Sequence, residues 1–244
     1  GLATFRGKTF HTSRWDYAYT GGDTTGGMTN LAGKHVAILG TGATAIQCVP
    51  YVAKDAGRLY VLQRTPSVVG ERLNRPTDPA WAHALEPGWQ RRRMANYTSL
   101  VLGGRQDVDL VDDGWTHATR ALASVYGGDW EKTDASPEQV KLNAEIADYV
   151  YMNKIRDRVD ATVADKATAE MLKPWYRYFC KRPLFNDEFL PAFNRANVEL
   201  IDISDAGGVE RMTETGFVVD GVERRIDCMI FASGFGADAS ARDG

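Results

Sequence analysis

The chain has 244 residues, 43% hydrophobic and 25% charged, with a net charge of −3, which allows a full core in one or two domains and argues against a nucleic-acid or anionic-membrane surface. No apolar run approaches the roughly 18 residues of a membrane-spanning helix, and the opening GLATFRGK does not read as a signal peptide. Three scattered cysteines (Cys48, Cys180, Cys228) without a C-x-x-C suit buried thiols in a reducing, cytoplasmic setting, and four histidines without ligand spacing predict no metal.

Residues 1–33 carry few helix or strand signals. Gly21, Gly22, Gly26 and Gly27, with Thr and Asp beside them, predict a loop. Within it FRGKTFHTSRWD (5–16) reads as polar chain with aromatic anchors. The apolar run Val36-Ala37-Ile38-Leu39 then has the length and type of a strand buried on both faces of a parallel sheet. It ends at Gly40-Thr41-Gly42-Ala43-Thr44-Ala45, which fits G-x-G-x-x-G/A, and residues 45–52, including Gln47, read as a helix. Each small residue has its own part. Gly40 permits the tight turn, Gly42 lets a pyrophosphate approach the backbone, and Ala45 lets helix and strand pack closely. The helix N-terminus then faces the phosphates.

A second buried strand is predicted at 58–63, followed by Arg64-Thr65-Pro66. An NAD site places Asp or Glu near here to bind the ribose hydroxyls. This chain instead offers the planar cation of Arg64 and the hydroxyl of Thr65, which suit a 2′-phosphate and point to NADP(H). After Ser67 the sheet pattern stops. Helices are predicted over 80–102, 115–126, 136–163 and 165–172; in the third, Ser136 caps, Pro137 takes the first helical position and Gln139 completes a capping box. Strand signals return at 197–202, in a hairpin of 209–213 with 217–220, and at 226–231, which runs into Ala232-Ser233-Gly234. The expected class is α/β: a Rossmann-like NAD(P)-binding domain over 34–72 and 193–244, a helical insertion over 73–192 and a linker over 1–33. The missing initiator Met, and an end close behind a buried strand, read as a segment of a longer protein.

FRGKTFHTSRWD fits F-x-G-x-x-x-H-x-x-x-W-P/D through Phe5, Gly7, His11, Trp15 and Asp16. Standing just upstream of a G-x-G-x-x-A, it resembles the fingerprint of type I Baeyer–Villiger monooxygenases. Trp15-Asp16 separates it from the similar fingerprint of N-oxygenating flavin monooxygenases. The order of strand, helix, strand, insertion, strand, meander and strand also resembles the dinucleotide domain of two-dinucleotide flavoproteins, so the resemblance covers nearly the whole chain. The family usually has Ala-Thr-Gly where this chain has Ala232-Ser233-Gly234.

The resemblance implies an FAD-dependent enzyme that converts a ketone, NADPH and O2 to an ester or lactone, NADP+ and water through a C4a-peroxyflavin. It also gives meaning to Lys181-Arg182, which composition alone would leave as solvated charge. Carried over, Lys181 joins Arg64 and Thr65 around the 2′-phosphate, and Arg182 is the catalytic cation beside the flavin. The FAD is expected to be held mainly by flanking segments, because the chain contains only one glycine turn; the isolated segment is then expected to be inactive and colourless. Two other readings stand beside this one. One is the NADPH domain of another flavin monooxygenase, N- or S-oxygenating; the other is a non-catalytic dinucleotide-binding module. The lack of C-x-x-C and C-x-x-x-x-C disfavours a disulfide reductase.

Overall fold

The computed structural model describes residues 1–126, 136–205 and 207–234. In chain order the elements are β1 (Lys8–His11), α1 (Tyr17–Thr20), β2 (His35–Leu39), α2 (Ala45–Asp55), β3 (Arg58–Gln63), β4 (Val69–Gly70), α3 (Pro79–His83), α4 (Trp89–Val101), α5 (Gly114–Tyr126) and α6 (Pro137–Thr162). They continue with α7 (Lys166–Leu172), β5 (Leu184–Phe185), α8 (Phe189–Ala192), β6 (Val198–Asp202), β7 (Arg211–Met212), β8 (Gly216–Val219), β9 (Val222–Arg225) and β10 (Cys228–Phe231). The chain divides into two compact units. One comprises residues 1–67, 159–174 and the chain from Glu188 on; the other comprises 68–158 and 175–187.

The first unit is Rossmann-like. Five parallel strands lie in the order β1-β10-β2-β3-β6. β2 is central because it is apolar on both faces: Val36, Ala37 and Ile38 are fully buried, each larger side chain contributing on the order of 1.5–3 kcal/mol. Ala37, Leu62, Ile201 and Met229 face a cluster completed by Phe5, Phe217 and Val219. Phe217 and Val219 come from an antiparallel meander, β7-β8-β9. α2 packs against β2, β3 and α8, and continues through the buried Pro50 to Asp55, three residues beyond the helix expected from sequence.

Residues 1–33 are more ordered than their sequence signals. Lys8–His11 forms an edge strand paired with β10, from Lys8 opposite Cys228 to His11 opposite Phe231. Four half-buried residues are too few for a readable alternation. Gly7 leads into this strand under a steric constraint: a Cβ there would collide with the Phe5 ring and lie 2.6 Å from the Asp227 carbonyl. β9 was likewise hidden, since VERR shows one apolar residue, and that one is exposed.

The second unit is mainly helical, around Val68, Ala118, Leu122, Ala147, Met152, Ile155 and Tyr178. The helix expected over 80–102 is two helices. Pro87 removes a donor and Gly88 adopts φ +84°, so α3 stops at His83 and α4 restarts at Trp89. Ser136 caps α6 by accepting from the Gln139 N–H at 3.2 Å, but the Gln139 side chain donates forward to Asn143 at 2.9 Å, so only half of the capping box forms. Among the described residues no helix is long and apolar enough to cross a membrane.

Candidate functional site

Strand order reverses at β2, with β3 and β6 on one side and β10 and β1 on the other. In an open parallel sheet this reversal opens a crevice beyond the carboxyl ends of the strands. Three loops leave those ends, and hydrogen bonds knit them together. Gly40 N–H donates to the Leu62 carbonyl at 2.9 Å and Ala232 N–H to the Leu39 carbonyl at 3.0 Å. The Thr41 hydroxyl donates to the Thr65 carbonyl at 3.1 Å, and the Ser67 hydroxyl to the Thr41 carbonyl at 2.7 Å. Thr41 is buried and its hydroxyl is spent on this strut, so what it offers a ligand is backbone. Ser67 shows no sequence signal beyond its distance from the turn, and only the fold reveals its part.

The two glycines of the turn differ physically. Gly40 has φ +112°, and a Cβ there would stand 2.8 Å from the Ala232 carbonyl oxygen, so it is required by the fold itself. Around Gly42 an added Cβ would meet nothing within 4 Å. That open approach is where a ligand's phosphates can reach backbone. Behind it, α2 begins at Ala45 with no side-chain cap from Thr44, and the N–H groups of 42–45 find no acceptor among the described residues. Ala43 and Thr44 are exposed, and Gln47 turns its amide back to the Ala43 carbonyl at 2.7 Å. Unspent N–H donors on a helix dipole make an anion site.

Arg64 stands at the end of β3, exposed, with no ion pair or hydrogen bond among the described residues, and Thr65 beside it is half-buried. Ala232 is buried, whereas Ser233 and Gly234 are exposed and Gly234 has φ +79° with open space around it. Donors, open space and an exposed cation thus stand at the carboxyl ends of the neighbouring strands β2 and β3, and this set fits a phosphorylated dinucleotide. The nearby thiols offer no nucleophile: burial pushes Cys48 and Cys228 up to about 12.

The fingerprint residues lie next to this crevice in the same unit. Phe5 belongs to the core, and the His11 ring accepts from the Ser13 N–H at 3.1 Å. Trp15 meets Phe10 edge-on at 5.3 Å, and its indole N–H donates to the Thr20 hydroxyl at 3.1 Å. Asp16 caps α1 by accepting from Tyr19 N–H at 3.0 Å and pairs with Lys8 at 2.5 Å. A cleft of about 470 Å³ lies between this loop and α2, with Thr12, Trp15 and Tyr17 on one wall and Thr44, Gln47 and Tyr51 on the other. Sequence reading passed over Lys8 and Thr20, which fall on variable positions of the fingerprint or just beyond it.

Lys181 and Arg182 belong to the second unit. They follow a short turn at Tyr178–Cys180 and both are exposed. The Lys181 ammonium sits 5.3 Å from the Tyr176 ring centre, and Arg182 has no ion pair among the described residues.

No protein-family model matches the sequence. The chain is 54% identical over 235 residues to a neopentalenolactone D synthase from Streptomyces avermitilis, covering 96% of the chain and 39% of that protein. It is 48% identical over 240 residues to a Baeyer–Villiger monooxygenase from Streptomyces coelicolor, covering 98% of the chain and 40% of that protein. Among solved structures it matches a polycyclic ketone monooxygenase from Thermothelomyces thermophila with a TM-score of 0.83 and 41% identity, over 96% of the chain and 38% of that structure. A steroid monooxygenase bound to NADP matches with a TM-score of 0.67 and 25% identity, over 96% of the chain and 43% of that structure. The chain spans about two fifths of the length of the curated relatives it matches.

Proposed function

We propose, from the premise that this chain is homologous over nearly its whole length to a segment of the type I Baeyer–Villiger monooxygenases, that it is the NADP(H)-binding portion of such an enzyme. The observation that carries this reading is the crevice at the strand-order reversal. Unspent helix N–H groups and the open approach at Gly42 stand there, and Arg64, exposed and with no ion pair among the described residues, directly follows the adjacent strand β3. The N–H groups of 42–45 take the pyrophosphate, Arg64 and Thr65 take the 2′-phosphate, and Ser233-Gly234 lie along the dinucleotide. In this reading the 2′-phosphate contact is what favours NADPH over NADH, and no carboxylate stands where an NAD site would use one on the ribose hydroxyls.

Lys181 is assigned as a second cation for the 2′-phosphate and Arg182 as the cation on the flavin side. Arginine suits that place because it stays charged at every working pH and holds developing negative charge without titrating. Bound NADPH supplies hydride for the FAD of the whole enzyme, which is held mainly by segments outside this chain. The substrate class is a ketone, with O2 as co-substrate and an ester or lactone as product. The likeness to a polycyclic ketone monooxygenase favours a bulky ring system. The setting is the cytoplasm.

Titration with NADPH and NADH tests the core of the reading: saturable binding with a clear preference for NADPH is expected, and equal affinity for both would refute it. For the whole protein, ester formation from a ketone with matching NADPH and O2 consumption is expected. NADPH oxidation that yields an N-oxide from an amine but no ester from any ketone would move the protein to the N-oxygenating class.

A further inference from the structure

We propose that Lys8, which the fingerprint pattern leaves variable, is a positioning residue for the dinucleotide site, setting Trp15 as one wall of the cleft beside α2. The inference rests on the dinucleotide reading above and concerns what holds that site in shape.

A lysine on an edge strand often serves only to keep other chains from pairing there. Lys8 does more, because its ammonium is 2.5 Å from the Asp16 carboxylate eight residues on. The pair closes residues 8–16 into a ring. Asp16 in turn caps α1, which has four residues and is too short to hold itself together. The last residue of α1 is Thr20, fully buried; its hydroxyl accepts from the Trp15 indole at 3.1 Å and donates to the Gly21 carbonyl at 2.9 Å. Trp15 is thus held at two places: its ring by Phe10 of β1, its N–H by a chain of contacts that begins at Lys8.

The wall that Trp15 makes faces Thr44 and Gln47, the residues that open α2 behind the glycine turn. Removing the ammonium frees the Asp16 carboxylate to rotate. The cap loosens, Thr20 shifts, and the indole loses its acceptor. The cleft then widens next to the helix N-terminus. The effect falls on a part of the site away from the 2′-phosphate contact of Arg64, so NADPH and NADH should weaken together.

The test uses the full-length protein labelled with 5-fluorotryptophan, the Trp15 resonance being assigned with Trp15→Phe. Lys8→Met and Asp16→Asn are compared singly and together; Asp16→Asn keeps an oxygen for the cap but loses the charge. Each single variant is expected to shift the Trp15 resonance and raise the Kd of both NADPH and NADH about three- to tenfold. The double variant should do no more than the stronger single one, and Lys8→Arg should restore wild-type behaviour. An unmoved Trp15 resonance in Lys8→Met overturns the inference, as does a shifted resonance with unchanged affinity, or losses that multiply in the double variant. If the wild type binds neither dinucleotide, the proposed function falls and takes this inference with it. Binding by the wild type with no response in Lys8→Met overturns the inference alone.

Discussion

Replacing Arg64 by alanine removes the main charged contact proposed to distinguish NADPH from NADH. The side chain is exposed and unpaired among the described residues, so its removal leaves no orphaned charge and should change stability by less than about 0.5 kcal/mol. For binding, a charge pair about 4 Å apart is worth about 1 kcal/mol in bulk water and about 4 kcal/mol at a protein surface of intermediate dielectric. Charge-assisted hydrogen bonds fall inside that range, at about 1.5–3 kcal/mol, which converts to a roughly ten- to hundredfold loss. The exposure of Arg64 favours the lower end. Fluorescence titration should therefore show the Kd of NADPH rising about tenfold in Arg64→Ala, with that of NADH almost unchanged. Added salt should narrow the wild-type preference, because an exposed pair is screened. Arg64→Lys should recover part of the loss, keeping the charge but not the two-pronged geometry. A folded Arg64→Ala protein with the wild-type NADPH/NADH ratio would refute the assignment.

The turn glycines should separate fold from binding. Gly40→Ala places a residue at φ +112° against the Ala232 carbonyl and should lower the melting temperature, the backbone strain alone costing about 1–3 kcal/mol. Gly42→Ala, with open space around it, should melt like the wild type yet bind both dinucleotides more weakly; unchanged affinity would remove the pyrophosphate from that place. Lys8, followed by the Tyr19 N–H, holds the Asp16 carboxyl below its ordinary value, so the folded chain binds fewer protons there than the unfolded chain. The stability it contributes is present above about pH 4 and is lost as pH falls through the depressed value; Asp16→Asn should flatten that part of an acid-unfolding profile. Cys48 and Cys228, pushed up to about 12 by burial, should resist iodoacetamide at pH 8 in the native state, while exposed Cys180 reacts; mass spectrometry reads the sites. In the whole enzyme, Arg182→Ala should still oxidise NADPH but form little ester, and a normal ester yield would cancel its role.

Much of the candidate site was legible because its parts are short and local. The run at 36–39 must be buried on both faces, and a strand that ends in Gly-x-Gly before a helix start has few uses. Arg64 stood out because the residue type expected there is acidic. Local pattern also located α5, α6 and α7 to within a residue or two. Where the signals failed, the structure depends on partners distant in sequence. Lys8–His11 becomes a strand only because β10, more than 200 residues later, offers it an edge, and Gly7 is needed in part because the Asp227 carbonyl arrives from the same distance. The break between α3 and α4 was within reach, since Pro87-Gly88 announces it; the long helical pattern on either side masked it.

Composition and pattern by themselves determined that this is a parallel α/β chain with a run of helices between its strands and a glycine turn between strand and helix, because strand, turn and helix signals are carried by neighbouring residues. Only the tertiary structure decided that β10 inserts between β1 and β2. That placement reverses the strand order, opens the crevice and brings Ala232 over Gly40. It likewise decided that Thr41 is a strut and that Lys8 and Thr20 stand behind Trp15. The physical reason is that a hydrogen bond or close contact across the fold depends on where two remote backbones meet, and no local pattern of side chains encodes that distance.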